Sequence, residues 1–244
     1  MQLLSVNWPE YFNALLDGAL TTLRYTAVSF VGAVIIGLVL ALLRQSASGP
    51  ARLFARSYVE LFKNIPLLTP IFIIYFGLAS VNIVLPAFAS GAIALTIFYA
   101  AYMSEIFRGA LLGVPPEQRE AAQALGMNRL QVLGRVTLPQ AFRLALPGTG
   151  MMLVDVLKAT SLLVTIAAGE LMMQAQIISS ITYEALEVYV GIGLIYFVMC
   201  FSISHLVLGV ERRVLAGDPL SPRRISLHRR VRERMSAARE ASDE

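Results

Sequence analysis

The sequence predicts an all-α, polytopic membrane protein with about five transmembrane helices. Three observations predict it. Of the 244 residues, 57% are hydrophobic and only 15% are charged, whereas a soluble domain carries about 25% charged residues. The charges are bunched, which leaves long apolar runs with none. Lysine and arginine crowd in alternate connections between the spans, and the lone Arg24 before the first span is outnumbered by the four basic residues after it, as membrane orientation requires.

The uncharged runs place the spans, since about 20 residues cover a hydrocarbon core of roughly 30 Å. Tyr25 to Leu43 makes the first. Asn64 to Ser104 holds no Asp, Glu, Lys or Arg and is too long for one helix. It suits two, joined near Ala79 to Ala89, with Asn82 and Pro86 at the break. Leu144 to Gly169 makes the fourth, with charges inside it, and Val188 to Val210 the fifth. Trp8 to Leu20 reads as a short amphipathic stretch with Trp8 and Tyr11 as interface anchors. The predicted organisation is a surface segment 1–20, a transmembrane unit 21–214 and a basic, then acidic, tail 215–244.

Arg44, Arg52, Arg56 and Lys63 follow the first span. Arg108, Arg119, Arg129, Arg135 and Arg143 lie between the third and fourth, and more arginines follow the fifth. The opposite loops have none. The positive-inside rule therefore places the basic loops and the C-terminus in the cytoplasm, and the N-terminus outside. The net charge of +4 is explained by these span ends and gives no sign of a nucleic-acid partner. With two histidines and one cysteine, Cys200, the chain has no metal-ligand cluster and no possible intrachain disulfide.

The predicted cytoplasmic segment "EAAQALGMNRLQVLGRVTLPQA", Glu120 to Ala141, is polar and helical. Pro115 and Pro116 open a helix where a missing N–H costs nothing. Glu117 and Glu120 sit near its N-terminus, where the helix dipole favours negative charge. Gly126 supplies the residue that commonly ends a helix. A second short helix follows from Asn128 to Val136, until Pro139 stops it. Two short helices with small alanine faces make a knob that a partner surface can approach closely; an ordinary connecting loop is the other reading, though such loops are usually shorter.

The spacing Glu120-Ala121-Ala122, then Gly126, then Val136, Leu138 and Pro139 resembles the EAA motif of ATP-binding-cassette importer permeases, with Val136 standing for Ile. The stretches "ELFKNIPLLTPIFIIYFGL", "AYMSEIFRGAL" and "LEVYVGIGLIYFVMCFSISHLVLGVERRV" are similar to the polar amino-acid branch of that family. The resemblance covers roughly residues 10 to 214. It implies a subunit of a bacterial inner-membrane importer for polar amino acids or conjugates such as opines. By position it assigns Glu120, Ala121, Ala122, Gly126, Leu138 and Pro139 to a coupling helix that docks on a separate ATP-binding subunit. It also implies a second permease subunit, identical or homologous, and an external solute-binding protein. The chain has no G-x-x-x-x-G-K-[ST] phosphate cradle, so no cofactor is expected on it; ATP and Mg²⁺ belong to the partner ATPase.

Charges inside spans mark a candidate substrate pathway, because ionisable groups there usually face a cavity or each other. Glu105 and Arg108, three apart, can form a structural pair or touch a ligand. Asp155 and Lys158 fall well inside the fourth span. The family commonly reads Lys-Asp-Thr-Ser-Leu here, where this chain has Lys158-Ala159-Thr160-Ser161-Leu162. Asp155 restores an acid about one turn earlier, on nearly the same face. The pair lines the path or is buried against a partner subunit; Thr160, Ser161 and Glu170 are further candidates. Membrane lipid is the remaining expected partner, through the basic tail. The alternative to an importer is a secondary transporter or channel subunit not coupled to ATP, which would need no knob.

Overall fold

The computed structural model describes residues 6–216; the tail from 217 and the first five residues lie outside the described residues. Everything described is helix and connection. The elements are α1 (Trp8–Leu43), α2 (Gly49–Lys63), α3 (Leu68–Phe72, continuing as a π-helical turn Ile73–Gly77), α4 (Ala87–Leu112), α5 (Pro116–Ala124) and α6 (Arg129–Val132). A second π-helical turn, Leu133–Thr137, leads into α7 (Leu138–Ala159), which tightens to a 3₁₀ turn, Thr160–Ile166. The chain closes with α8 (Leu171–Thr182) and α9 (Ala185–Ala216). Among the described residues, four helical runs are long and apolar enough to cross a membrane; the second span expected from Asn64 is only Leu68–Gly77, and a fifth crossing exists only if it is counted with α2, from which it bends by 99°.

Small residues decide how the spans meet. Between membrane helices apolar burial gains nothing over lipid, so packing density and close backbone approach hold them together. Gly32 lies against Thr96 and Gly37 against Met103, and the Ser29 hydroxyl donates to the Ala92 carbonyl. Residue numbers advance together along the two helices, so α1 and α4 are parallel. Gly148 meets Ile106 and Gly113 meets Leu144, which makes α7 antiparallel to α4. Gly150 meets Val207 and Lys158 lies near Cys200, which makes α9 antiparallel to α7. The ends of α1, α4 and α9 and the start of α7 therefore share one end of the bundle, where the arginines are.

Several boundaries differ from the sequence reading. Trp8 to Leu20 is no separate surface stretch but the first turns of the 36-residue α1. At about 54 Å α1 is longer than the hydrocarbon core, and its start packs on α8 and α9: Leu15, Leu171, Ala175, Ile178, Val188 and Ile192 form one buried cluster. The basic stretch after the first span is itself helical, as amphipathic α2. Ala55 and Val59 face inward and Leu53, Phe54 and Leu61 outward. Asn64 caps α2, its amide donating to the Glu60 carbonyl, and Pro66 follows at the bend. Pro139 does not stop the second short helix. The Leu138 N–H reaches back five residues to the Leu133 carbonyl. Widening the turn just before Pro139 gives its ring room beside the carbonyls of the preceding turn, and the helix runs on.

Candidate functional site

Two regions carry the polar chemistry. The first is the knob at the arginine-rich end. α5 begins with Pro116 in its first turn and ends in a paired motif: the Met127 N–H donates to the Ala122 carbonyl and the Gly126 N–H to the Gln123 carbonyl. That pattern needs a left-handed residue between the two helices, and Gly126 has φ +82°. α6 starts on a reciprocal cap, with the Gln131 N–H donating to Asn128 Oδ1 at 2.9 Å and the Asn128 N–H to Gln131 Oε1 at 3.0 Å. Ala122 and Val132 turn inward, and the Gln140 side-chain amide donates to the side-chain Oε1 of Gln118, tying α7 to α5. What faces out is Glu120, Ala121, Ala124 and two leucines, Leu125 at 84% and Leu130 at 79% exposure. Leu138 packs on the core of the spans and Pro139 lies at the surface.

The second region lies within the spans. Lys158 Nζ is 2.8 Å from Asp155 Oδ1, with side chains 58% and 42% exposed. The pair therefore stands on the outside of this chain's own bundle, beside Tyr99, whose hydroxyl donates to the Asp155 carbonyl. The Ser161 hydroxyl donates to the Lys158 carbonyl nearby. Thr160 faces inward, its hydroxyl donating to the Leu157 carbonyl.

Glu170 is fully buried. It caps α8, accepting the Met173 N–H at 2.9 Å, and accepts the Tyr196 hydroxyl at 2.7 Å. Thr22 of α1 accepts the neighbouring Leu171 N–H. The arrangement joins α1, α8 and α9 rather than lining an opening. Tyr196 and Thr22 were missed by sequence reasoning, and no local signal marks partners 26 and 149 residues away.

Glu105 gathers three cations. Arg44 approaches at 2.8 Å, Arg108 at 2.9 Å and Lys63 at 3.8 Å. The expected Glu105–Arg108 pair is present, and Arg44 and Lys63, which no spacing rule connects to it, fasten the ends of α1 and α2 to α4. The candidate residues therefore separate into an exposed group, Asp155, Lys158 and Ser161, and an inward group, Thr160 and Glu170, with Glu105 partly buried in a clasp.

A bundle of apolar spans that keeps an exposed ion pair within one span and a polar helical knob at one end defines a membrane transport component. The chain matches the family "binding-protein-dependent transport system inner membrane component" over residues 33–216, and it belongs to that family. It is 32% identical over 205 residues to the probable glutamine ABC transporter permease protein GlnM of Bacillus subtilis, covering 84% of this chain and 95% of that one. It is 36% identical over 208 residues to the L-cystine transport system permease protein TcyB of the same organism, covering 85% and 87%. The octopine transport system permease protein OccM of Rhizobium radiobacter is 36% identical over 211 residues, covering 83% and 86%. The crystal structure of an amino acid ABC transporter with histidines superposes with a TM-score of 0.81 at 36% identity, covering 86% of this chain and 100% of that one. The MetNI methionine ABC transporter, at 22% identity and a TM-score of 0.73, shares the fold. The chain is thus an ABC transporter permease, and nothing favours the uncoupled-transporter alternative.

Proposed function

We propose that this chain is the inner-membrane permease subunit of a bacterial importer for polar amino acids or their derivatives, driven by a separate ATPase subunit that holds ATP and Mg²⁺. The observation that carries the reading is the knob: a helix–glycine–helix unit that carries the family's motif at the arginine-rich end and presents exposed leucines and alanines. In this reading Glu120 and Ala121 stand on the docking face, while Ala122 packs inward beneath it and Gly126 sets the turn. Leu138 and Pro139 join it to α7. A second permease subunit, identical or homologous, covers the face with Asp155, Lys158 and Ser161. An external solute-binding protein delivers the ligand at the other end. The start of α1 stands on the outer side, and the coupling segment 116–139 and the end of α9 face the cytoplasm. Thr160, Glu105 and Glu170 serve the path by fixing the helices around it.

The proposed substrate contact has a simple chemical basis. An amino acid carries an ammonium and a carboxylate, and the Asp155–Lys158 pair offers one partner for each. Asp155→Asn should lower ligand-stimulated transport about 10-fold or more, the worth of one charge-assisted contact, and change the ranking within a panel of amino acids. Reconstituted complexes with their ATPase and binding protein provide the measurement. If Asp155→Asn combined with Lys158→Gln transports normally with an unchanged ranking, the pair is structural and the contact is refuted.

Orientation has its own test. In a Cys200→Ala background, a cysteine in place of Tyr183, 89% exposed between α8 and α9, should react with an impermeant maleimide applied outside. A cysteine in place of Leu130 should react only after the membrane is opened. The reverse pattern overturns the assignment of sides.

A further inference from the structure

A cleft of about 650 Å³ opens between α1, α4, α7 and α9 in the half of the bundle that carries the arginines. Val34, Phe107, Ala145, Leu153 and Leu206 are among its walls, and the only polar side chains that line it are Thr149 and Glu211. The Thr149 hydroxyl is already used, donating within its helix to the carbonyls of Ala145 and Leu146. Protein interiors rarely keep a void larger than a water molecule, and a polar solute would find no free donor here. The geometry points to a phospholipid site: one acyl chain lies in the cleft, and the phosphate sits at its arginine-rich mouth.

Two further observations select that occupant. Arg143 follows a wall residue on α7, and Arg212 and Arg213 follow Glu211 on α9. None of the three has an ion-pair partner among the described residues. Clustered arginines at a membrane surface attract anionic headgroups, so the lipid is an anionic phospholipid of the adjoining leaflet. The cleft also opens sideways, since its wall residues Phe142, Leu206 and Val210 are themselves exposed, which lets a lipid chain enter from the bilayer. Because tails are as apolar as the walls, retention comes from packing and from the headgroup contact.

The test uses the intact transporter with its partner subunits, purified in mild detergent and titrated with phosphatidylglycerol or phosphatidylcholine under native mass spectrometry. Phosphatidylglycerol should stay bound through delipidation that strips phosphatidylcholine. Thr149→Trp, which obstructs the middle of the cleft, should lower its occupancy about 10-fold. Arg212→Ala with Arg213→Ala should remove the headgroup preference while a chain is still held. A photoreactive residue in place of the exposed Leu206 supplies a second reading that needs no filled cleft, and it should crosslink to lipid. Phosphatidylglycerol retention unchanged in Thr149→Trp, or crosslinking of the Leu206 probe to the second permease, overturns the proposal. Neither outcome touches the importer reading, which is measured by transport.

Discussion

Gly37→Ala should abolish the assembled permease, although it adds one methyl group. A Cβ at Gly37 would overlap the Cβ of Met103 and stand 3.0 Å from the Ala100 carbonyl and 3.1 Å from the Ser104 nitrogen. Two of those atoms are backbone, so no rotamer change relieves the contact; α1 and α4 must move apart. That contact is the main seam of the fold, with Ala33, Ala41, Ala94, Leu95 and Met103 buried along it. Overpacking a site that cannot yield costs about 3 kcal/mol, a large share of ordinary folding stability. Gly109→Ala supplies the control, because a Cβ there meets nothing within 4 Å on the same helix α4. Membrane-inserted, detergent-extractable permease is the quantity to compare. Equal yields from the two variants would mean that the α1–α4 seam is looser than these distances say.

The long uncharged runs made α1, α4 and α9 legible, since nothing but a span explains them. The bend after Lys63 was not read, because the break in that uncharged run was placed at Asn82 and Pro86. Pro66 marks a break, but the amphipathic pattern of α2, with Ala55 and Val59 inward and Arg52 and Arg56 on the polar side, was absorbed into a count of basic residues for orientation. α8 was invisible because Leu171 to Thr182 is uncharged yet too short to span. Pro139 misled for a physical reason: a proline ends a helix only when the preceding turn cannot widen, and Leu133–Thr137 widens. The left-handed Gly126 and the start at Pro116 were read correctly because caps and turns are local chemistry. The Glu170–Tyr196 bond and the clasp around Glu105 were not, because partners distant in sequence leave no periodicity to read. Three-residue spacing did identify Asp155 with Lys158, since a helix brings such neighbours together whatever surrounds them.

The continuity through Pro139 bears on coupling. Arg129 to Ile166 forms one 38-residue helical run. It carries the exposed Leu130 of the knob at one end and the Asp155–Lys158 pair further along.

Gly126→Val should then leave the spans inserted and separate ATP hydrolysis from transport. No atom lies within 4 Å of a Cβ at Gly126, so the substitution creates no clash within the chain. Its effect is on the backbone: φ +82° is a conformation that a β-branched residue adopts only under strain, about 1–2 kcal/mol even for an unbranched one. The turn relaxes, and α5 and α6 lose the angle that presents Leu125 and Leu130 together. Gly126→Asn should retain most coupling, since asparagine tolerates the left-handed region. Glu120→Lys should fail by another route, reversing a charge on the docking face while the turn stays intact. Co-purification of the ATPase subunit and ligand-stimulated hydrolysis in vesicles are the readouts. Gly126→Val and Glu120→Lys should each lower stimulation about 10-fold, with membrane levels of the permease unchanged. Normal stimulation in both variants would reduce this segment to a connecting loop and leave the ATPase without its proposed point of attachment.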